Sequence, residues 1–172
     1  MTTNPSPAPG DFMVVATPGW QAHAIRLITR SPVNHAVLMT EPGRVIEEDP
    51  GGAREDNLSN YDGMFQRWSN LLATDQERDA VVAAARTHLG VGYSWLDDAC
   101  IGLADLLGWR VPTPVRSRLC RPDRLMCSQL VDTAYKEAGF SLFKDGRIPG
   151  DVAPGDLLDI IEGRKPSVGE RW

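Results

Sequence analysis

A cysteine and a histidine of this chain each lie in the local setting that a thiol hydrolase requires. Cys127 begins a stretch with helical periodicity, and His35 begins an apolar run typical of a buried strand. The unpaired N–H groups and the positive dipole end at a helix N-terminus favour a thiolate over a thiol. A histidine on a neighbouring strand can take the thiol proton and later return it. The pair therefore predicts nucleophilic acyl-transfer chemistry.

Each residue of this pair also has an ordinary structural interpretation. Cys127 shares an i, i+3, i+4, i+7 pattern with the apolar residues of its helix, and an inert buried thiol is common there. His35 can equally be a half-buried strand histidine whose ring is satisfied by neighbours. A first-turn cysteine that faces the interior is, however, also where a nucleophile meets a base on a sheet. The backbone N–H of Cys127 would then serve an oxyanion.

A carboxylate that could orient the histidine follows on the next predicted strand. The turn at residues 41–44 predicts a hairpin between residues 35–39 and 44–48. Glu47, on the return strand, can hold one imidazole nitrogen and direct the ring toward a thiol. Glu48 is the alternative, and because side chains alternate along a strand, only one of the two glutamates can face the histidine.

The remaining pattern has helices and strands in blocks, which predicts an α+β fold. Residues 1–10 are rich in proline and predict a flexible tail, and residues 11–172 predict a single domain. Residues 53–73 give no clear pattern. The other predicted elements are a strand at 11–16, a helix at 20–30, a capped helix from Thr74 to Gly90, a helical stretch at about 96–107, a helix from Cys127 to Ala138, and a last strand at 157–161.

The bulk composition argues against several functional classes. The 172 residues are 42% hydrophobic and 24% charged, which is ordinary for a globular domain. The net charge of −5 argues against nucleic-acid binding, which usually requires a basic surface. Three cysteines without CxxC spacing, and only three histidines, predict neither a disulfide scaffold nor a metal site. We therefore expect no metal, and the acyl-transfer chemistry above requires no organic cofactor.

The N-terminal residues and the length of the apolar runs indicate where in the cell we expect the protein. The first ten residues contain neither a basic segment nor an apolar one, so no secretory signal is predicted. No run approaches the length of a membrane span. We expect a chain made in the cytoplasm without a membrane span. A role outside the cell would then require delivery by a phage particle or a secretion machine.

Four segments in a fixed order resemble one family. Residues 25–38 (IRLITRSPVNHAVL) are similar to the helix, turn and Ser-x-x-x-His strand of the circularly permuted papain-like amidases. These form the YiiX-like branch of the NlpC superfamily, which is related to lecithin retinol acyltransferase. The other three segments resemble the family's Gly-x-x-Tyr, Cys-Ser-Glu-Leu and Pro-x-Asp-Leu elements: residues 89–95, 125–131 and 154–158. The resemblance covers about residues 11–160.

The resemblance implies a fold and a set of roles. The fold would be papain-like and circularly permuted, with a small antiparallel sheet packed against helices, because the histidine precedes the cysteine. Cys127 would be the nucleophile, His35 the general base and acid, and Glu47 the residue that orients His35. Tyr93 and Ser128 would lie on the substrate or oxyanion side, although Tyr93 can equally be a packed aromatic.

Two positions depart from the family pattern without removing a catalytic group. Gln129 stands where the family tends to have glutamate, and Met126 precedes the nucleophile. The implied reaction is hydrolysis of an amide, in a peptide or an isopeptide, through a thioester, with cell-wall peptides as one substrate class. The alternatives are a lipid-directed acyltransferase or esterase, and a catalytically inactive structural or assembly domain. The polar C-terminal residues 162–171 favour the amidase.

An arginine cluster precedes the nucleophile in a proline-rich loop, and it is either solvated or directed at substrate. If it faces substrate, Arg121 and Arg124 would favour an anionic group such as a peptide carboxylate. Neutralising both residues should then raise the KM for such a substrate, since an attractive charge is lost from binding. Steady-state kinetics on the double glutamine variant measure this, and an unchanged KM contradicts the assignment.

Overall fold

The computed structural model describes residues 6–49, 52–90, 92–93, 124–125 and 127–164. These residues form strands, four α-helices and two short 3-10 turns. In chain order the elements are β1 (Phe12–Val15), α1 (Trp20–Thr29), β2 (His35–Glu41), β3 (Arg44–Asp49), β4 (Gly52–Asn57), a 3-10 turn (Leu58–Tyr61), β5 (Gln66–Trp68), α2 (Asp75–Thr87), β6 (Gly92–Tyr93), β7 (Arg124–Leu125), α3 (Cys127–Glu137), a 3-10 turn (Pro149–Asp151) and α4 (Pro154–Ile161).

The centre of the fold is a five-stranded antiparallel sheet in the order β4-β3-β2-β1-β5. The β2–β3 hairpin turns at Gly43, whose φ of +81° lies in the left-handed region that glycine adopts without strain. Val15 pairs with His35, and Val37 pairs with Glu47. The α+β prediction is confirmed, as is the expectation of a small antiparallel sheet accompanied by helices.

The two faces of the sheet carry different clusters. On one face, Phe12, Val14 and Leu38 share a large core with buried residues of α2, α3 and α4. On the other face, Met13, Val15, Val37 and Val45 pack against Tyr61 and the partly buried residues around it. Because alternate strand residues point to opposite faces, His35 lies on the side of the smaller cluster. The candidate site lies at the end of the sheet, where side chains from its two faces can come together.

Two predicted boundaries can be compared directly with the structure. The capping box is confirmed at Thr74, whose Oγ1 accepts from the Glu77 N–H at 3.3 Å while the Glu77 carboxylate accepts from the Thr74 N–H at 3.1 Å. Gly10, placed at the end of the predicted tail, is buried. Its N–H donates to the Met39 carbonyl at 2.8 Å, and its carbonyl accepts from the Tyr135 hydroxyl at 2.9 Å. Ordered packing thus begins before residue 11.

The prediction of a strand at residues 157–161 is wrong, because Pro154–Ile161 is the helix α4. Proline is well tolerated in a first helical turn, and the Asp156 carboxylate accepts from the Ala153 N–H at 3.0 Å. Leu157, Leu158 and Ile160 are buried against the larger core. A short apolar run of this kind does not distinguish strand from helix by periodicity.

The unassigned residues 53–73 contain most of β4, a 3-10 turn and β5. The helical stretch predicted at about 96–107 lies outside the described residues. Among the helices that the structure describes, none combines the length and apolarity needed to cross a membrane.

Asp132 on α3 generates a prediction about stability. The residue is buried, and this burial raises the pKa of its carboxyl to about 6, an effect that Lys136 and Arg147 only partly offset. A carboxyl with a raised pKa favours the folded state below the unfolded value of ~3.9, and this contribution is lost as the pH rises through about 6. We expect Asp132→Asn to be about 1–2 kcal/mol more stable than wild type at pH 8 and little different near pH 4.

Urea unfolding at the two pH values measures this difference. Asp79→Asn, at an exposed position on α2, is the matched control and should change stability by less than ~0.5 kcal/mol at both. An Asp132→Asn protein that gains no stability between pH 4 and pH 8 relative to wild type would contradict the prediction.

Candidate active site

The start of β2 is fixed by hydrogen bonds from the residue before the histidine. The N–H of Asn34 donates to the Val15 carbonyl at 3.1 Å, and its Oδ1 accepts from the Thr17 N–H at 3.0 Å and from Arg26 Nη1 at 2.7 Å. Its Nδ2 donates to Thr17 Oγ1 at 2.7 Å. Since Asn34 is itself buried, these bonds define the backbone position from which His35 extends.

His35 contacts the predicted carboxylate. Its Nε2 lies 2.9 Å from Glu47 Oε2, and Glu47 is only 5% exposed. Glu47 pairs with Val37, two residues after His35, so both polar side chains lie on the same face. Glu48 is buried on the opposite face of β3. Of the two glutamates that the sequence left open, Glu47 is the one that the structure brings to His35.

Glu47 has two further partners that the sequence analysis did not identify. Its Oε1 accepts from Arg54 Nε at 3.1 Å and from Arg54 Nη2 at 2.8 Å, and its Oε2 accepts from the Tyr61 hydroxyl. Burial alone would raise the pKa of Glu47, but hydrogen bonds from His35, Tyr61 and Arg54 outweigh it and hold that pKa well below its usual range. The carboxylate is therefore a stable anion.

The sequence contains one signal for Arg54. A two-residue connection between Asp49 and Gly52 places Arg54 directly opposite Glu47, and this register is the one observed. Opposite charges at facing positions of a hairpin are a recognisable cross-strand pair. Tyr61 has no comparable local signal, because the 3-10 turn brings it to Glu47 from fourteen residues away.

Cys127 is the first residue of α3 and is partly exposed. Its side chain lies close enough to the ring of His35 to affect the charge of that ring. Burial would lower the pKa of His35, but the charge and hydrogen bond of Cys127, followed by those of Glu47, raise it to about 10. Because Nε2 is bonded to Glu47, Nδ1 is the ring nitrogen that remains for the thiol.

The end of the sheet allows His35 to meet both groups. The buried residues of α3 belong to the larger core, on the face opposite Glu47. His35 is the first residue of β2, so its ring lies at the sheet end and contacts both Glu47 and the first residue of α3. The arrangement can generate a thiolate beside an imidazolium.

Ser128 holds the start of this helix in place. Its side chain is fully buried, and its hydroxyl donates to the Val152 carbonyl at 2.5 Å. This bond joins the first turn of α3 to the segment that precedes α4. The hydroxyl is therefore used in packing, and any contribution of Ser128 to an oxyanion would come from its backbone N–H.

For two further predicted site residues, Tyr93 and Arg124, the structure describes the backbone only. The backbone of Tyr93 in β6 pairs in parallel with Leu125 in β7, so it runs beside the segment that leads into Cys127. The backbone of Arg124 lies in the same small sheet. Arg121 lies outside the described residues. Within the described ranges, no three or more His, Cys, Asp or Glu side chains form a cluster that could hold a metal ion.

Comparison with known proteins gives no family for the chain. No protein-family model matches it. No curated protein matches it significantly.

The buried carboxylate generates a stability prediction. In Glu47→Gln the side chain is neutral, and one amide oxygen replaces two carboxylate oxygens as the acceptor for the four hydrogen bonds from Arg54, His35 and Tyr61. We expect a loss of about 2–4 kcal/mol in the free energy of unfolding at pH 7. Since the pKa of Glu47 is lowered in the folded state, this stabilisation is present above the unfolded value of ~4.3 and is lost as the pH falls below it.

Urea unfolding from pH 7 down to pH 3 measures the effect. Glu55→Gln on β4, which removes surface pairs with Arg44 and Arg86, is the matched control and should cost less than about 1 kcal/mol. Equal losses in the two variants, or a Glu47→Gln deficit that does not shrink in acid, would show that the Glu47 charge is not what stabilises this region.

Proposed function

We propose that this chain is a cysteine hydrolase that cleaves an amide bond, in a peptide or an isopeptide, through a thioester acyl-enzyme. The observation that carries the proposal is the position of the His35 ring, which bonds Glu47 through Nε2 and interacts electrostatically with Cys127 at the start of α3. A thiol beside an imidazole that a carboxylate orients is the arrangement of a nucleophilic triad.

The reaction proceeds in two halves. The Cys127 thiolate attacks the amide carbonyl, and the C–N bond breaks as the protonated His35 gives its proton to the leaving amine. His35, now neutral, takes a proton from water, whose oxygen attacks the thioester carbonyl. The C–S bond then breaks, which releases the carboxylic acid and restores the thiolate and the imidazolium. This sequence requires no metal and no organic cofactor.

The developing oxyanion would be bound by backbone groups at the start of α3. The first N–H groups of a helix have no intrahelical partner, and those of Cys127 and Ser128 lie at that position. Tyr93 is proposed to line the substrate cleft, because its strand runs beside the segment that precedes Cys127.

The same assignment implies a permuted papain-like fold. Two features support it: the histidine strand precedes the nucleophile helix in the chain, and that helix packs on the sheet that carries the histidine. Cell-wall peptides are the substrate class that the resemblance favours. A lipid ester would pass through the same thioester, so substrate class is decided by assay.

Iodoacetamide labelling against pH, with mass spectrometry to locate the label, tests the proposed pair. An ordinary thiol with a pKa near 8.5 would label about a hundredfold more slowly at pH 6 than at pH 8. If Cys127 is held as a thiolate beside protonated His35, its labelling at pH 6 should stay within about tenfold of the rate at pH 8. His35→Ala should abolish this acid-side reactivity.

His88→Ala is the matched control, because His88 also pairs with a glutamate, Glu137, but at the far end of α3 from Cys127. It should leave the labelling profile unchanged. If Cys127 is inert, or labels identically without His35, the cysteine is structural and a non-enzymatic domain becomes the better interpretation. With a reactive Cys127, hydrolysis of peptide amides, isopeptides and lipid esters by wild type and Cys127→Ala identifies the substrate class.

A further inference from the structure

The carboxylate of Glu47 is saturated with donors. A carboxylate offers about four lone-pair positions on its two oxygens. Arg54 donates twice to Oε1, and His35 and Tyr61 each donate to Oε2. These donors come from β2, β4 and the 3-10 turn that follows β4, so three separate elements converge on one side chain.

The two partners other than His35 are themselves held in place. Arg54 is the cross-strand partner of Glu47, and its Nη2 also donates to Asp56 at 3.2 Å. Tyr61 is 6% exposed, and its ring centroid lies 6.1 Å from that of His35. Burial and the Glu47 charge raise the pKa of the Tyr61 phenol, so the hydroxyl remains a donor at working pH.

We propose that Arg54 and Tyr61 are positioning residues that keep Glu47 an anion of fixed orientation, and thereby keep a proton on His35 Nε2 and present Nδ1 to Cys127. This inference rests on the proposed function. A neutral imidazole carries one N–H only, and an anionic acceptor at Nε2 selects the tautomer whose free lone pair is on Nδ1. A protonated Glu47 would instead offer a hydrogen to Nε2 and select the other tautomer.

The proposal predicts in which direction the pH dependence of Cys127 reactivity changes when Arg54 or Tyr61 is replaced. The charged and titratable groups that face Glu47 are His35 from β2, Arg54 and Asp56 from β4, Tyr61 from the 3-10 turn and, through His35, Cys127. Removing the Arg54 cation or the Tyr61 hydroxyl makes the Glu47 anion less stable. Glu47 then takes up a proton at higher pH, and the thiolate–imidazolium pair loses its support at that pH.

The labelling profile of Cys127 measures this shift. As the pH is lowered, the labelling rate of Cys127 eventually falls. In Arg54→Met the pH at which it falls should rise by about one unit, the shift expected when an adjacent opposite charge is lost. Tyr61→Phe should move it in the same direction by less. Arg54→Lys, which keeps the charge but loses the two-point contact, should lie between Arg54→Met and wild type.

Two matched controls separate positioning from general stability. Arg44→Met removes the same charge from the neighbouring strand, where Arg44 contacts Asn57 and Glu55 but not Glu47. Tyr135→Phe removes a buried hydroxyl that donates to the Gly10 carbonyl in the larger core. Both variants can lower the melting temperature, and neither should change the pH at which the labelling rate of Cys127 falls.

The outcomes of this experiment distinguish the two proposals. If His35→Ala leaves labelling unchanged, the proposed function fails. If His35→Ala abolishes acid-side labelling, but the Arg54 and Tyr61 variants keep the wild-type profile or match their controls, the positioning role is overturned and the proposed function stands. Should Arg54→Met not fold, Arg54→Lys and Tyr61→Phe decide the question by the same measurement.

Discussion

The interaction on which the site depends is the burial of one negative charge, on Glu47. An isolated carboxylate inside a protein would neutralise itself by taking up a proton, because desolvation strongly disfavours the ion. Here donors from two strands and a turn replace the lost water around both oxygens. The register of β2, β3 and β4 and the position of the 3-10 turn therefore have to agree for this charge to be stable.

The position of His35 follows from a second constraint, the alternation of side chains in a sheet. A residue in the middle of β2 would face either the helices or the smaller cluster, but not both. The first residue of the strand escapes this limit, because the sheet ends there and its ring can reach the start of a helix on the other face. The hydrogen bonds of Asn34 and of Ser128 fix the two backbones that meet at this point.

Local sequence pattern reveals some residues of the site and not others, and the reason is physical. Cys127, His35 and Glu47 can be found from sequence because each has a local cue, a helix start, a strand start and a hairpin return. Arg54 lies on a polar edge strand, where the only cue is its charge opposite Glu47, and the buried Tyr61 lies in a short 3-10 turn that has no strand or helix periodicity. The strand prediction at residues 157–161 fails for a different reason, since a short, mostly apolar run packs equally well as strand or helix. Local pattern does not predict that donors from separate elements of the folded chain contact one carboxylate, that of Glu47.

That convergence arranges charges of alternating sign across three strands and a helix start. Asp56 faces Arg54, Arg54 faces Glu47, Glu47 faces His35, and His35 faces Cys127. Moving the thiol proton to the imidazole leaves the total charge of this row unchanged, so the step does not place a net charge in a buried site. It creates a cation beside a fixed anion and an anion beside that cation, and both new charges have a neighbour of opposite sign. In the proposed reaction the ionised pair would therefore have a neighbour of opposite charge on each side, and its stability would depend on the Glu47 carboxylate at the centre.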